Sequence, residues 1–161
     1  MASGRGATAV GRRRGQTRDG AADPWHDRQM EQHDTPQSDD HESAYALLQR
    51  GLFLSSGRHY AQAVVVLERA DALEPDKGSI LEALGRAEFM SGQLVRAEAT
   101  FRCLLEVDPS AQYAHYALGQ SLKRQGRVRE ARTHLRLAVA LDPASSLYRG
   151  ALDRLPADES A

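Results

Sequence analysis

The chain has 161 residues, of which 41% are hydrophobic and 27% are charged, and its formal net charge at pH 7 is -1. This composition is typical of one small soluble domain with tails, and its near-neutral charge gives no overall attraction to nucleic acid or a membrane surface. The single cysteine, Cys103, excludes an intramolecular disulfide and a thiol-based zinc site. Because we find no secretory signal and no apolar run of membrane-spanning length, we expect a cytoplasmic protein without membrane contact.

Residues 1–42 are predicted to be a disordered tail, because their single apolar residues follow neither a helical nor a strand period. The first 18 residues carry five arginines and no acid, whereas residues 19–42 carry eight acids and only Arg28 as a base. The arginines make nucleic-acid contact a weak alternative function, since no aromatic residue for base stacking precedes Trp25. Met30 is followed by a short polar, acidic stretch, which leaves open whether translation begins there.

A 34-residue period begins at Ala44 and can be followed to Pro143. It is carried by small residues, by prolines and by apolar residues at matching positions. The matching sets are Gly51, Gly85 and Gly119; Ala63, Ala97 and Ala131; Pro75, Pro109 and Pro143; Leu67, Phe101 and Leu135; and Leu73, Val107 and Leu141. Such a period predicts tandem structural units rather than one irregular fold.

Each unit is predicted to be a helix, a turn and a second helix. The first helices span about 44–55, 79–90 and 111–124, and the second helices end near Leu73, Val107 and Leu141. We expect Gly57, Gly92 and Gly126 to end the first helices in the left-handed conformation, which glycine adopts at little cost. The aspartates of the two Asp-Pro pairs, Asp108 and Asp142, are predicted to cap the helices that follow them.

These units resemble the tetratricopeptide repeat, whose signature is W-x2-L-G-x2-Y, then A-x3-F, then P. The third unit, for example, supplies His115, Leu118-Gly119, Leu122, Ala131, Leu135 and Pro143. Arg50 and Glu88 depart from the apolar preference of the signature and are expected to loosen packing in the first two units. The resemblance implies an all-α fold, a short right-handed superhelix of three hairpins at 44–77, 78–111 and 112–145.

A capping helix at 146–156 and a tail at 157–161 complete the predicted organisation. Apolar residues at helical spacing should pack this helix on the last hairpin, which would otherwise expose its apolar side. The predicted packing residues are Leu147, Tyr148, Ala151, Leu152 and Leu155.

The resemblance also implies a concave groove, lined by the first helix of each repeat, in which a segment of a partner protein binds. The groove residues carried over by spacing are Tyr45, Leu48, Leu52, Glu82, Arg86, Phe89, Tyr113, Tyr116, Gln120 and Arg124. Aromatic residues and arginines are the side chains that most often anchor protein interfaces. For Leu48, Leu52 and Phe89, packing between repeats stays open as the alternative.

Two sub-families of this repeat offer more specific functions. One grips the acidic C-terminal tails of heat-shock chaperones through a clamp of lysine, asparagine and arginine. The corresponding positions here carry Leu48, Leu52, Ala83, Tyr113 and Ala117, none of which can hold a carboxylate pair. The other comprises secretion chaperones of similar size with an apolar groove, a resemblance too short to be specific.

We expect no enzyme, no cofactor and no metal site. His26, His33 and His41 are too dispersed to hold catalytic metal geometry, and Cys103 is expected to be a small hydrophobic residue, inert to redox chemistry and without a histidine partner. The predicted function is therefore that of an adaptor, scaffold or assembly factor that binds an unidentified protein or peptide segment. A chaperone-like role, shielding a hydrophobic client segment, is the alternative, and homo-oligomerisation through the convex side or the capping helix stays open.

Overall fold

The computed structural model describes residues 42–156, and within this range it contains seven helices and no strand. The helices are α1 (Ala44–Ser56), α2 (Tyr60–Leu73), α3 (Gly78–Met90), α4 (Leu94–Val107), α5 (Gln112–Arg124), α6 (Val128–Leu141) and α7 (Ser146–Asp153). The all-α prediction is confirmed. The predicted ends of the hairpin helices lie within about one residue of the observed ones, whereas the capping helix, predicted at 146–156, ends at Asp153.

Several predictions concern residues outside the described range. They are the disorder of the N-terminal tail, its nucleic-acid contact, the start at Met30, the dispersed histidines His26, His33 and His41, and the tail at 157–161.

The helices pack as three consecutive hairpins: α1 on α2, α3 on α4, and α5 on α6. The second helix of each hairpin packs on the first helix of the next, so that α2 contacts α3 and α4 contacts α5, while α7 closes the series on α6. Within the described residues, no helix combines the length and the apolar character needed to cross a membrane.

Glycines allow the two helices of each hairpin to approach closely. A Cβ atom added at Gly85 would lie 2.9 Å from two carbons of the Phe101 ring, and one at Gly119 would lie 2.7 Å from Leu135. Ala97 has no exposed surface. The period of small residues in the sequence therefore marks these contacts, as predicted.

The turn inside each hairpin places one residue in the left-handed conformation. Gly92 (φ 86°) and Gly126 (φ 80°) adopt it as predicted. The prediction for Gly57 is wrong, because its φ is -80° and the left-handed residue is Arg58 (φ 61°). Position 58 is 34 residues before Gly92, so the register of the repeat, rather than the nearest glycine, determines which residue takes this conformation.

The predicted helix caps at Asp108 and Asp142 are also wrong. The Asp108 carboxylate accepts hydrogen bonds from the backbone N–H of Ser110 (2.9 Å) and from its hydroxyl (2.6 Å). The N-cap of α5 is Ala111, and that of α7 is Ser145, whose hydroxyl accepts from the Tyr148 N–H at 3.3 Å. Each aspartate lies three residues before the next N-cap, so its short side chain closes the turn instead of capping the helix.

Helix α7 continues the 34-residue period as a shortened first helix. Tyr148 and Ala151 are buried, and so is Leu155, which lies two residues beyond the end of α7. Leu147 is 50% exposed, so its prediction as a packing residue is wrong. It lies 34 residues after Tyr113 and therefore faces the same side of the molecule as that tyrosine.

The two departures from the repeat signature have polar partners. Glu88 is 1% exposed, accepts a hydrogen bond from the Thr100 hydroxyl (2.7 Å) and lies 3.3 Å from the Arg96 guanidinium. Its burial raises the pKa of the carboxyl group. Arg50 remains exposed and pairs with Glu42 at 2.6 Å. Neither position is left with an unpaired charge, which limits the expected loosening.

Candidate functional site

A groove lies between the first helices of the three hairpins and contains a cavity of about 520 Å³. Six of the ten predicted groove residues line this cavity: Leu52, Arg86, Phe89, Tyr113, Tyr116 and Gln120. They come from α1, α3 and α5, because residues three, four or seven apart share one face of a helix. The groove thus combines aromatic rings with an arginine and an amide.

The other four predicted groove residues lie outside the cavity lining. Tyr45 is 66% exposed near the start of α1, whereas Leu48 is 8% exposed and belongs to the core of the first two hairpins. Glu82 is half-buried, with a carboxylate oxygen 3.7 Å from Arg86. Arg124 lies against Phe89 at the end of α3.

Arg86 and Tyr113 form the polar centre of the groove. The Arg86 Nε donates a hydrogen bond of 3.0 Å to the Tyr113 hydroxyl, and its guanidinium carbon lies 4.7 Å from the centre of the Tyr113 ring. This hydrogen bond is the main cause of the raised pKa of Arg86. Arg86 therefore stays charged, and the pair joins α3 to α5 across the groove.

Aromatic rings continue from the floor of the groove towards α7. Phe101 meets Tyr113 edge-on at 6.3 Å between ring centroids, Tyr113 lies 5.9 Å from Tyr116, and Tyr116 lies 5.2 Å from Tyr148. Such pairs are usually worth about 0.5–1.5 kcal/mol each beyond area burial. Burial raises the pKa of both Tyr116 and Tyr148, so their hydroxyls stay neutral at physiological pH.

Arg124 connects the third hairpin to the second. Its guanidinium carbon lies 4.8 Å from the centre of the Phe89 ring, and its Nη1 donates to the Phe89 carbonyl at 3.2 Å. That carbonyl belongs to the last turn of α3 and also accepts from the Gly92 N–H at 3.2 Å. Arg124 therefore orients the Phe89 ring at one edge of the groove.

Sequence reasoning missed six residues that line the cavity: Ser55, Ser56, Tyr60, Met90, Phe101 and Ala117. Helical spacing could have found Met90 and Ala117, which lie four residues after Arg86 and Tyr113. Phe101 and Tyr60 come from second helices and carry no such signal. Phe101 reaches the groove because Gly85 has no side chain to separate its ring from α3.

In the part of the chain that the structure describes, no hydrogen bond joins Cys103 to a histidine. Cys103 is exposed on α4, although the sequence predicts a small hydrophobic residue at this position. Its position is outward-facing in the repeat, where the equivalent Leu137 is also 42% exposed. Among residues 42–156, no three metal-ligating side chains are grouped closely enough to hold an ion.

The two histidines of the third hairpin are hydrogen-bonded to each other instead. The His115 Nδ1 lies 3.2 Å from the His134 Nδ1, and the His115 Nε2 lies 3.1 Å from the Pro109 carbonyl. Because a carbonyl only accepts, the His115 Nε2 donates to it and the His115 Nδ1 accepts from His134. Burial is the main cause of the lowered pKa of His134, and the neighbouring His115 adds to it.

This arrangement defines a helical-repeat protein with a groove between the first helices of its hairpins. Residues 83–146 match the model of a tetratricopeptide-repeat family. Over this stretch, which is less than half of its length, the chain is similar to tetratricopeptide repeats. No curated protein matches its sequence.

Solved structures show the same superhelical fold. The tetratricopeptide-repeat domain of OM64 from Arabidopsis has 19% identity and a TM-score of 0.67, and the match covers 69% of this chain and 92% of that domain. The first such domain of Spaghetti (RPAP3), bound to the HSP90 peptide SRMEEVD, has 17% identity and a TM-score of 0.67, with 71% and 90% covered. The Yersinia enterocolitica type III secretion chaperone SycD, in complex with a peptide of the translocator YopD, has 18% identity and a TM-score of 0.62, with 66% and 87% covered.

Proposed function

We propose that this protein is a non-catalytic adaptor or assembly factor that holds a segment of a partner protein in the groove between α1, α3 and α5. The observation that carries the proposal is the cavity of about 520 Å³, which is lined from all three first helices. A cavity of this size takes one or two large side chains, and a concave apolar site with a few polar groups is the usual form of a binding pocket.

The chemistry of the lining favours a segment with an apolar anchor residue. Phe89, Met90 and the rings of Tyr113 and Tyr116 offer apolar contact, while Gln120 offers hydrogen bonds to a bound backbone. Aromatic side chains provide large contact areas at low entropic cost, because they have few rotatable bonds. We place the anchor of the partner segment against these rings.

The related structures support this proposal through the peptides in the RPAP3 and SycD complexes. The HSP90 peptide is not proposed as a ligand of this chain. Leu48, Ala83 and Ala117, at positions where the chaperone-binding sub-family holds a carboxylate, are apolar and buried. The SycD complex supports the alternative proposal of a chaperone-like role, in which the groove shields an apolar client segment in the cytoplasm.

The test is a peptide-display selection on the full-length chain, followed by calorimetry with the enriched peptides. Leu52 (40% exposed) and Met90 (49% exposed) line the cavity, so Leu52→Asp and Met90→Asp place a charge in it with little risk to folding. Val95 is 71% exposed and lies outside the lining, which makes Val95→Asp the matched control. We expect a loss of affinity of about tenfold or more for the first two variants and none for the control.

Equal binding by all three variants would rule out the groove as the site. If the enriched sequences come from proteins that aggregate alone and stay soluble with this chain, the chaperone-like role is favoured. If they come from folded proteins that form stable complexes with the chain, the adaptor role is favoured.

A further inference from the structure

The first hairpin exposes a helix face that the other two hairpins bury. This face of α1, here called the N-terminal face, consists of Ala46, Gln49, Arg50 and Phe53. Phe53 is 76% exposed, Gln49 and Arg50 are exposed, and Ala46 is half-buried. The residues 34 and 68 positions later are all buried: Ile80, Ala83, Leu84 and Ala87 in α3, and Ala114, Ala117, Leu118 and Ser121 in α5.

The buried equivalents are covered by the preceding hairpin, through α2 on α3 and through α4 on α5. At the position of Phe53 the covered helices carry the small residues Ala87 and Ser121, neither of which has any exposed surface. A phenylalanine at this position would overfill such a contact. The N-terminal face is therefore not shaped for a further hairpin in the geometry of the other two.

We propose that the N-terminal face binds the same face of a second copy of this chain, with the two α1 helices antiparallel. Ala46, Gln49, Arg50 and Phe53 follow the i, i+3, i+4, i+7 spacing of one helix face. Ala46 and Phe53 are equally distant from the midpoint between Gln49 and Arg50. A twofold axis at that midpoint sets each Phe53 against the partner's Ala46, a large side chain against a small one.

The charges on this face tolerate a symmetric contact. The twofold axis brings the two Arg50 side chains near each other, which would be unfavourable for free guanidinium groups. Each Arg50 is already paired with Glu42 of its own chain at 2.6 Å. Glu42, Ala46 and Arg50 follow one another at four-residue spacing, so the neutralising carboxylate lies on the same face.

The opposite end of the repeat array is closed, which limits the assembly to two copies. Tyr148, Ala151 and Leu155 are buried against the last hairpin, and the outer side of α7 carries the exposed Arg149 and Asp153 together with Arg154 just beyond its end. A contact of like faces about a twofold axis closes at a dimer, whereas a contact between different faces would propagate. With one open end among residues 42–156, the array is expected to form a dimer and no filament.

The experiment is analytical ultracentrifugation of the full-length chain over a concentration series, with Phe53→Asp and the control Val95→Asp. Both residues are exposed by more than 70%, so neither substitution disturbs a buried contact, and circular dichroism checks that helicity is retained. We expect the wild type and Val95→Asp to reach twice the monomer mass as concentration rises. We expect Phe53→Asp to weaken dimerisation by about tenfold or more. A wild-type chain that stays monomeric throughout overturns the proposal, and so does a dimer that Phe53→Asp leaves intact.

Disulfide trapping tests the antiparallel register independently of Phe53. In a Cys103→Ser background, Gln49→Cys places a thiol beside the twofold axis, whereas Gln62→Cys places one on the exposed side of α2. We expect a covalent dimer on mild oxidation of the first variant and little with the second. Equal trapping of both, or trapping of Gln62→Cys alone, rules out this register. Because the groove lies on another side of α1, loss of the dimer and loss of peptide binding are separately measurable.

Discussion

Replacement of Arg58 by glycine is expected to stabilise the protein. Arg58 has φ 61°, and the equivalent turn positions in the second and third hairpins are occupied by Gly92 and Gly126. The backbone hydrogen bonds of the three turns match: the His59 N–H donates to the Leu54 carbonyl at 2.9 Å, as Gln93 does to Glu88 at 2.8 Å. This turn ends a helix with a left-handed residue, usually glycine.

The magnitude follows from two opposing contributions. A left-handed L-residue costs about 1–2 kcal/mol, because its Cβ crowds the following carbonyl oxygen. Glycine loses more backbone entropy on folding, which offsets about 0.5–1 kcal/mol of that gain. The Arg58 side chain is exposed and forms no hydrogen bond or ion pair within residues 42–156, and glycine keeps the backbone N–H that donates to the Ser55 carbonyl, so little else is lost. We expect a net gain of about 0.5–1 kcal/mol and a rise in melting temperature of about 2–5 °C.

Thermal and urea unfolding, followed by circular dichroism, measure this gain. Arg58→Ala is the matched control, because it removes the same side chain but keeps the Cβ atom, and we expect it to leave stability nearly unchanged. Gly92→Ala should destabilise by about 0.5–1 kcal/mol, the reverse of the gain at Arg58, since its φ is 86° and an added Cβ has no other atom within 4 Å. If Arg58→Gly and Arg58→Ala have equal melting temperatures, the backbone conformation is not the cause and the reasoning is refuted.

Three further predictions concern the packing and the polar contacts of the hairpins. Ala97→Leu, at a fully buried position between paired helices, should destabilise by about 1–3 kcal/mol in urea unfolding, and no change would mean that the helices separate easily. Glu98→Ala should cost about 1–3 kcal/mol, because the Glu98 carboxylate is 4% exposed and accepts from Gln125 (2.8 Å) and Arg127 (2.6 Å), which join the second hairpin to the third. The lowered pKa of His134 means that folding favours its neutral form, so its contribution is present above the unfolded pKa of about 6.5 and is lost as pH falls through the lower folded value. Unfolding between pH 7 and pH 5 should therefore show a smaller loss of stability in His134→Gln than in the wild type, and equal losses would contradict this assignment.

The sequence by itself determined the repeat, because the residues that recur every 34 positions are those that close helix packing requires. Gly85 and Ala97 have to be small where two helices approach, and a small residue at a fixed spacing is visible without coordinates. The same period predicted the first helices and most of the groove residues on them, since one helix face is set by its own spacing.

The sequence did not determine the features that depend on how the helices pack against one another. The left-handed residue of the first turn is Arg58 and not Gly57, because backbone register outweighed the local preference of a single residue. Leu147 is exposed, since α7 keeps the orientation of the earlier first helices instead of turning its most apolar side inward.

The floor of the groove and the open end of the array were likewise decided by the tertiary structure alone. Phe101 belongs to a second helix and reaches the groove only past Gly85, a contact between residues of two helices that no spacing along either one predicts. Phe53 occupies a position that is buried in the next two hairpins, and only the absence of a preceding helix among the described residues leaves it exposed. Burial depends on neighbours in space. Equivalent positions of the repeat are therefore equally buried only in those hairpins that have another hairpin packed against the same face.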